Sequence, residues 1–196
     1  MTKNQKNNIP QLFESLFKIL SNQRFLNKEG LGGNKAIFVQ PYEISKQIEI
    51  DSHINSLVKR LTSNNIPVLS IDLYELCLSI LETKGALHKV FETEGSFTKR
   101  EFKRALHGSL DTKTTILPSI MDLMKNTEYK LILIHGVDKV FPFLSMVSIL
   151  VNIQSILNNE PVVFFYPGEY DNYSLNLFGR INEDNEYRAF NLNNYN

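Results

Sequence analysis

The sequence has one cysteine in 196 residues, which excludes a disulfide scaffold and any cysteine-rich zinc or iron–sulfur centre. It has no net charge either, since 21 lysines and arginines balance 21 aspartates and glutamates. A chain neutral in sum is not, as a whole, an electrostatic clamp for nucleic acid. No apolar run approaches the length that spans a bilayer, and the opening residues MTKNQKNNIP lack the apolar stretch of a secretory signal. From these absences we expect a soluble, cytoplasmic protein. Glycine is missing where phosphate binding needs it. Neither GxxxxGK(S/T) nor GxGxxG occurs, and the one glycine-rich stretch, Gly30 to Gly33, precedes the first expected strand. A GxSxG nucleophile motif is absent too. His53, His88, His107 and His135 form no HxH or HxxxH pair, so no metal centre is expected.

What is present suffices for a core: 42% hydrophobic and 21% charged residues are ordinary globular usage. The charge is unevenly placed. Residues 1–50 carry seven basic and four acidic groups, residues 51–130 eleven and ten, residues 131–196 three and seven. The acidic last third suits a basic protein partner better than a phosphate backbone.

Hydrophobic periodicity predicts a helix opening at Ile9-Pro10 and carrying Leu12, Phe13, Leu16, Phe17 and Leu20. Ala36 to Val39 reads as a buried strand stopped by Pro41. A helix follows from Ser45 to about Leu61. Pro67 to Ile71 is a second strand, leading into a helix with Leu73, Leu76, Cys77, Ile80 and Leu81. Residues 84–112 hold a loop and the charged helix Thr98 to His107, and Thr112 to Asn126 is a helix broken or kinked at Pro118. Leu131 to Ile134 is the strongest strand signal. A helix from near Phe143 to Leu157, a strand Val162 to Tyr166 closed by Pro167-Gly168, and a last strand from Tyr187 to Leu192 complete the pass. Strands apolar on both faces and separated by helices indicate an α/β domain with a mostly parallel sheet of about five strands. The order is that of a degenerate NTPase-like core without a phosphate-binding loop. We expect one domain over residues 1–196: an N-terminal helix and turn (1–34), the sheet core (35–192) and a tail (193–196).

Ligands of such sheets sit beyond the carboxyl ends of the strands. There His135, Asp138, Glu169 and Asp171 form a candidate polar rim for hydrolysis or nucleotide binding, although structural caps at strand ends explain the same residues more simply. Lys99, Arg100, Lys103 and Arg104 form one basic helical band beside Phe102 and Leu106. A solvated face accounts for it better than a nucleic-acid contact.

Four segments are more distinctive: Gly136-Val137-Asp138-Lys139-Val140-Phe141-Pro142-Phe143, Phe164-Phe165-Tyr166-Pro167-Gly168-Glu169-Tyr170, Leu177-Phe178-Gly179-Arg180 and Tyr187-Arg188-Ala189-Phe190. In order and spacing they resemble the BrxB family of BREX phage-defence systems, over most of residues 131–192. Leu144 to Val147 departs from the polar residues family members tend to carry there. The resemblance implies a non-catalytic adaptor without cofactor. Its implied partners are a PglZ-like protein of the alkaline-phosphatase family and other BREX components. The signature residues Phe141, Pro142, Phe143, Pro167, Gly168, Glu169, Tyr170, Arg180 and Arg188 are then structural or interaction positions. Pro167-Gly168 fits a sharp turn, Glu169 is placed to pair with Arg180 or Arg188, and Phe141-Pro142-Phe143 reads as a core plug in preference to a partner anchor.

Overall fold

The computed structural model describes residues 8–29, 36–95, 97–158, 160–171, 174–183 and 189–195. The chain begins with α1 (Ile9–Leu20), whose Leu12, Phe13, Leu16 and Leu20 bury one face, and with the short α2 (Gln23–Leu26). Asn8 caps α1 by accepting from the Gln11 N–H, and Pro10 lies in its first turn, where its missing N–H costs no helical bond. Next come β1 (Ile37–Tyr42), a 3-10 turn at Ile44–Lys46, α3 (Gln47–Ser63) and β2 (Val68–Asp72). The middle holds α4 (Leu73–Thr83), α5 (Leu87–Glu94), α6 (Lys99–Ser109) and α7 (Leu117–Asn126). The expected helix from Thr112 to Asn126 is interrupted next to Pro118, where a π-helical turn at Thr112–Ile116 gives way to α7, and Pro118 sits in the first turn of α7. Then follow β3 (Leu131–His135), α8 (Val137–Val140), α9 (Met146–Ile153), β4 (Val162–Tyr170), β5 (Leu175–Leu177), β6 (Ile181–Glu183) and β7 (Phe190–Asn191).

Strands β2, β3, β4, β1 and β7 lie side by side in that order, all parallel, with Ile37 opposite Val162 and Leu131 opposite Val68. Alternate strand residues feed two cores. Phe38, Leu133, Val163 and Phe165 pack with α1 and α3, whereas Val39, Ile71, Ile134 and Phe164 pack with α4, α7 and α9. This is the expected α/β domain with a mostly parallel sheet between helices. Among the described residues no helix is long and apolar enough to cross a membrane.

Three local expectations are corrected. Strand β1 runs through Pro41 to Tyr42. Its neighbour β7 pairs only with Phe38 and Val39, so Pro41 stands where that edge is already unpaired and a proline is tolerated. Strand β4 likewise runs through Pro167-Gly168 to Tyr170 and bends into an antiparallel ladder with β5, which β6 extends. The expected helix from Phe143 to Leu157 is shorter, starting at Met146 behind the Ser145 cap and ending at Ile153. The last strand comprises Phe190 and Asn191 among the described residues, and Tyr187 and Arg188 lie outside them.

Candidate functional site: the carboxyl edge of the sheet

The connections leaving the adjacent strands β1 and β4 run to opposite edges of the sheet, toward β2 and β7. Such a reversal leaves a crevice beyond the two carboxyl ends. A cleft of about 770 Å³ lies there, between α1, the ends of β1 and β4, β5 and the last turn of the chain. That volume is typical of ligand sites. Ile9, Leu12, Ile44 and Phe178 supply apolar wall, and Glu43, Glu169 and Asp171 supply carboxylates; no lysine or arginine lines it among the described residues. Gln40, 1% exposed, and Asn193 put two amides into its lining.

Beside the cleft, the ends of β1, β2 and β3 with the adjoining α3 and α8 carry a polar relay. The Tyr42 hydroxyl donates to Gln47 Oε1, and Gln47 Nε2 donates to Asp51 Oδ1 at 2.8 Å. Lys139 Nζ bridges Asp51 at 3.0 Å and Asp72 at 3.4 Å. Asp72 caps α4 by accepting from the Tyr74 N–H at 2.9 Å. His135 Nδ1 stands 3.6 Å from Asp72 Oδ2, an ionic approach too long for a hydrogen bond. His135 Nε2 stands 3.3 Å from Ser70 Oγ. Burial pushes the His135 pKa below its ordinary value against the pull of Asp72 and Asp51, so the ring is neutral at pH 7. Burial raises Asp138, whose Oδ1 has no partner among the described residues. Burial would lower Lys139, but Asp51 and Asp72 outweigh it and hold the ammonium charged.

The sequence-derived rim therefore separates into two places. His135 belongs to the relay, and Asp138 adjoins it, its charge acting on Tyr42 after burial in raising that phenol. Glu169 and Asp171 belong to the cleft, where Asp171 accepts from the Ser174 N–H at 2.8 Å. Sequence reasoning placed Gln40 and Asp72 at the ends of their strands without choosing them for the rim, and it missed Asn193 and Asp51. A polar residue inside an otherwise apolar strand was the available signal for Gln40.

Gly168 also differs from the sequence reading. It is not a turn residue but faces Leu177 in the β4–β5 ladder, where a β-carbon would overlap the Asn176 carbonyl oxygen. Tyr170, pushed up to about 12 by burial, donates to the Ala189 carbonyl at 2.7 Å. Glu169 and Arg180 are exposed and unpaired with each other among the described residues, and Arg188 lies outside them. Phe141 and Phe143 are half-buried against the core and Pro142 is exposed. Phe141 meets Phe178 of the cleft wall edge-on at 5.8 Å, and Phe143 meets Phe102 of α6 edge-on at 6.0 Å. Lys99, Arg100, Lys103 and Arg104 are all exposed on α6. Cys77 is buried, its thiol pushed up to about 12 by desolvation, so it is core and not a thiolate ligand. No group of histidines, cysteines and carboxylates fit to hold a metal occurs among the described residues.

Comparison with known proteins agrees with the four-segment signature and extends it. A family model described as "BREX protein BrxB" matches residues 69–192, more than half the chain. The chain belongs to the BrxB family. A "BREX protein BrxB" of Bacillus cereus (strain H3081.97) is 30% identical over 189 residues, covering 94% of this chain and 97% of that protein. A "BREX protein BrxB" of Escherichia coli O9:H4 (strain HS) is 21% identical over 173 residues, 88% of this chain and 86% of that one. No solved structure matches. The family match begins in β2 and so contains the β4 and β5 side of the cleft, while Gln40 to Ile44 precede it and fall within the span shared with the full-length relatives.

Proposed function

We propose that the chain is a non-catalytic adaptor of a BREX anti-phage complex in the cytoplasm, holding a PglZ-like protein of the alkaline-phosphatase family. Membership of the BrxB family carries the BREX assignment. The adaptor role is supported by the relay, whose polar groups are engaged with one another: Lys139 bridges Asp51 and Asp72, and Asp72 also caps a helix. The turn after β1, where a phosphate cradle would sit in an NTPase-like core, is Glu43 followed by Ile44–Lys46 and contains no glycine. A stable complex buries on the order of 800 Å² per partner. The acidic last third supplies rim contacts that steer association.

The test is co-purification and binding kinetics with the PglZ-like protein encoded nearby. Reversing Glu183, Asp184 and Glu186 is expected to slow association and lessen its salt dependence, while reversing Lys99, Arg100, Lys103 and Arg104 leaves it unchanged. Loss confined to the basic-helix variant moves the interface to α6, and no complex under any salt condition overturns the adaptor reading.

One observation favours a second reading. His135 stands between a hydroxyl and a carboxylate, Ser70 and Asp72, the order of a hydrolase triad. Ester or amide turnover abolished by Ser70→Ala would establish that reading in place of the first.

A further inference from the structure

Two amides in the cleft each have one hydrogen-bonding group engaged and one left over. Gln40 Nε2 donates to the Pro41 carbonyl at 2.9 Å. A carbonyl only accepts, so this bond decides which way the Gln40 amide faces. The same Nε2 reaches Asn193 Oδ1 at 3.2 Å and thereby orients the second amide. What remains is an acceptor, Gln40 Oε1, and a donor, Asn193 Nδ2, both buried and without a partner among the described residues. Buried polar groups are nearly always paired, and Gln40 is 1% exposed. An acceptor beside a donor is the hydrogen-bonding complement of a peptide group, which offers one N–H and one C=O.

The surroundings select the charge of the ligand. Glu43 and Glu169 are exposed at the cleft, and Asp171 adds a third carboxylate. With no lysine or arginine in the described lining, a phosphate or an acidic side chain is repelled and a cation attracted. Ile9, Leu12 and Ile44 supply apolar surface for the segment's remaining side chains.

We propose that this cleft binds a basic peptide segment, Gln40 Oε1 and Asn193 Nδ2 holding one of its peptide groups while Glu43 and Glu169 face its lysine or arginine. The inference rests on the adaptor reading only for the protein that supplies the segment. A polyamine brings donors without an acceptor and satisfies half of the amide pair.

The experiment is calorimetric titration of the full chain with three probes: the acetylated, amidated tetrapeptide Leu-Lys-Arg-Leu, its counterpart Leu-Glu-Glu-Leu, and spermidine. Saturable binding is expected for the basic peptide alone, weakened about tenfold by Gln40→Met, roughly the effect of one hydrogen bond. Because Gln40 is buried, its variant is checked by thermal melting. The exposed pair Glu43→Gln with Glu169→Gln keeps the test sound should Gln40→Met not fold, and is expected to weaken binding roughly three- to tenfold and flatten its salt dependence. No binding of the basic peptide, equal binding of the acidic one, or spermidine binding as tightly with Gln40→Met without effect would each overturn the proposal. A PglZ-like complex that forms while all three probes fail sinks the cleft and leaves the adaptor. Peptide binding with no such complex does the reverse.

Discussion

Gly136 sits at φ 77°, and a β-carbon on it would overlap the Asp72 carboxylate and come 3.3 Å from the Leu73 backbone nitrogen. Gly136→Ala therefore combines left-handed strain with displacement of the Asp72 cap, and should cost about 1–3 kcal/mol from the backbone alone. Gly168→Ala should cost a similar amount, about 1–3 kcal/mol, by forcing β5 away from β4. Chemical denaturation reads both, and an unmoved midpoint in either would show that the close approach is absent. His135 gives a pH signature. Its folded pKa lies below the ordinary 6.5 because burial disfavours the cation, so the unfolded chain binds the proton first. Its stabilising contribution is therefore complete above about pH 6.5 and declines as pH falls toward the folded pKa, at no more than about 1.4 kcal/mol per pH unit. His135→Gln should flatten that part of the stability curve relative to wild type. An identical slope in both proteins would remove His135 as its source.

Among the elements, α6 depends strongly on its own sequence, since Leu106 is its one buried residue. Thr98 and Glu101 form a reciprocal capping box at its start, with Thr98 N–H donating to Glu101 at 2.9 Å. Thr98→Ala should weaken the helix by about 0.5–2 kcal/mol, seen as faster amide hydrogen exchange in residues 99–103 with little change elsewhere. Exchange unchanged there would mean that packing of Phe102 on Phe143, not the cap, holds the helix. Strand β3 is the opposite case. Leu131 to Ile134 are buried on both faces, so their uninterrupted apolar run was legible without tertiary knowledge. Strand β4 was half legible: Val162 to Tyr166 stands out, but its continuation through Pro167-Gly168 depends on pairing with β5, which no local pattern announces.

At the scale of the whole molecule, the carboxylates of the cleft and the glycine-free turn after β1 imply that ATP and GTP will neither raise the melting temperature nor be hydrolysed. A saturable thermal shift with either nucleotide would contradict this. The α/β class, the order of the parallel strands' sequence segments and the family signature of residues 131–192 were determined by the sequence itself, because periodicity and unusual local segments are properties of neighbouring residues. The site was decided by tertiary structure. Gln40 and Asn193 are 153 residues apart and meet only because β1 is inserted between β4 and β7. Asp51, Asp72 and Lys139 come together only because α3, the end of β2 and α8 behind β3 converge. His135 ends β3 and Asp171 follows β4, yet the first belongs to the relay and the second to the cleft, since register and strand order, not distance along the chain, set which polar groups share a pocket.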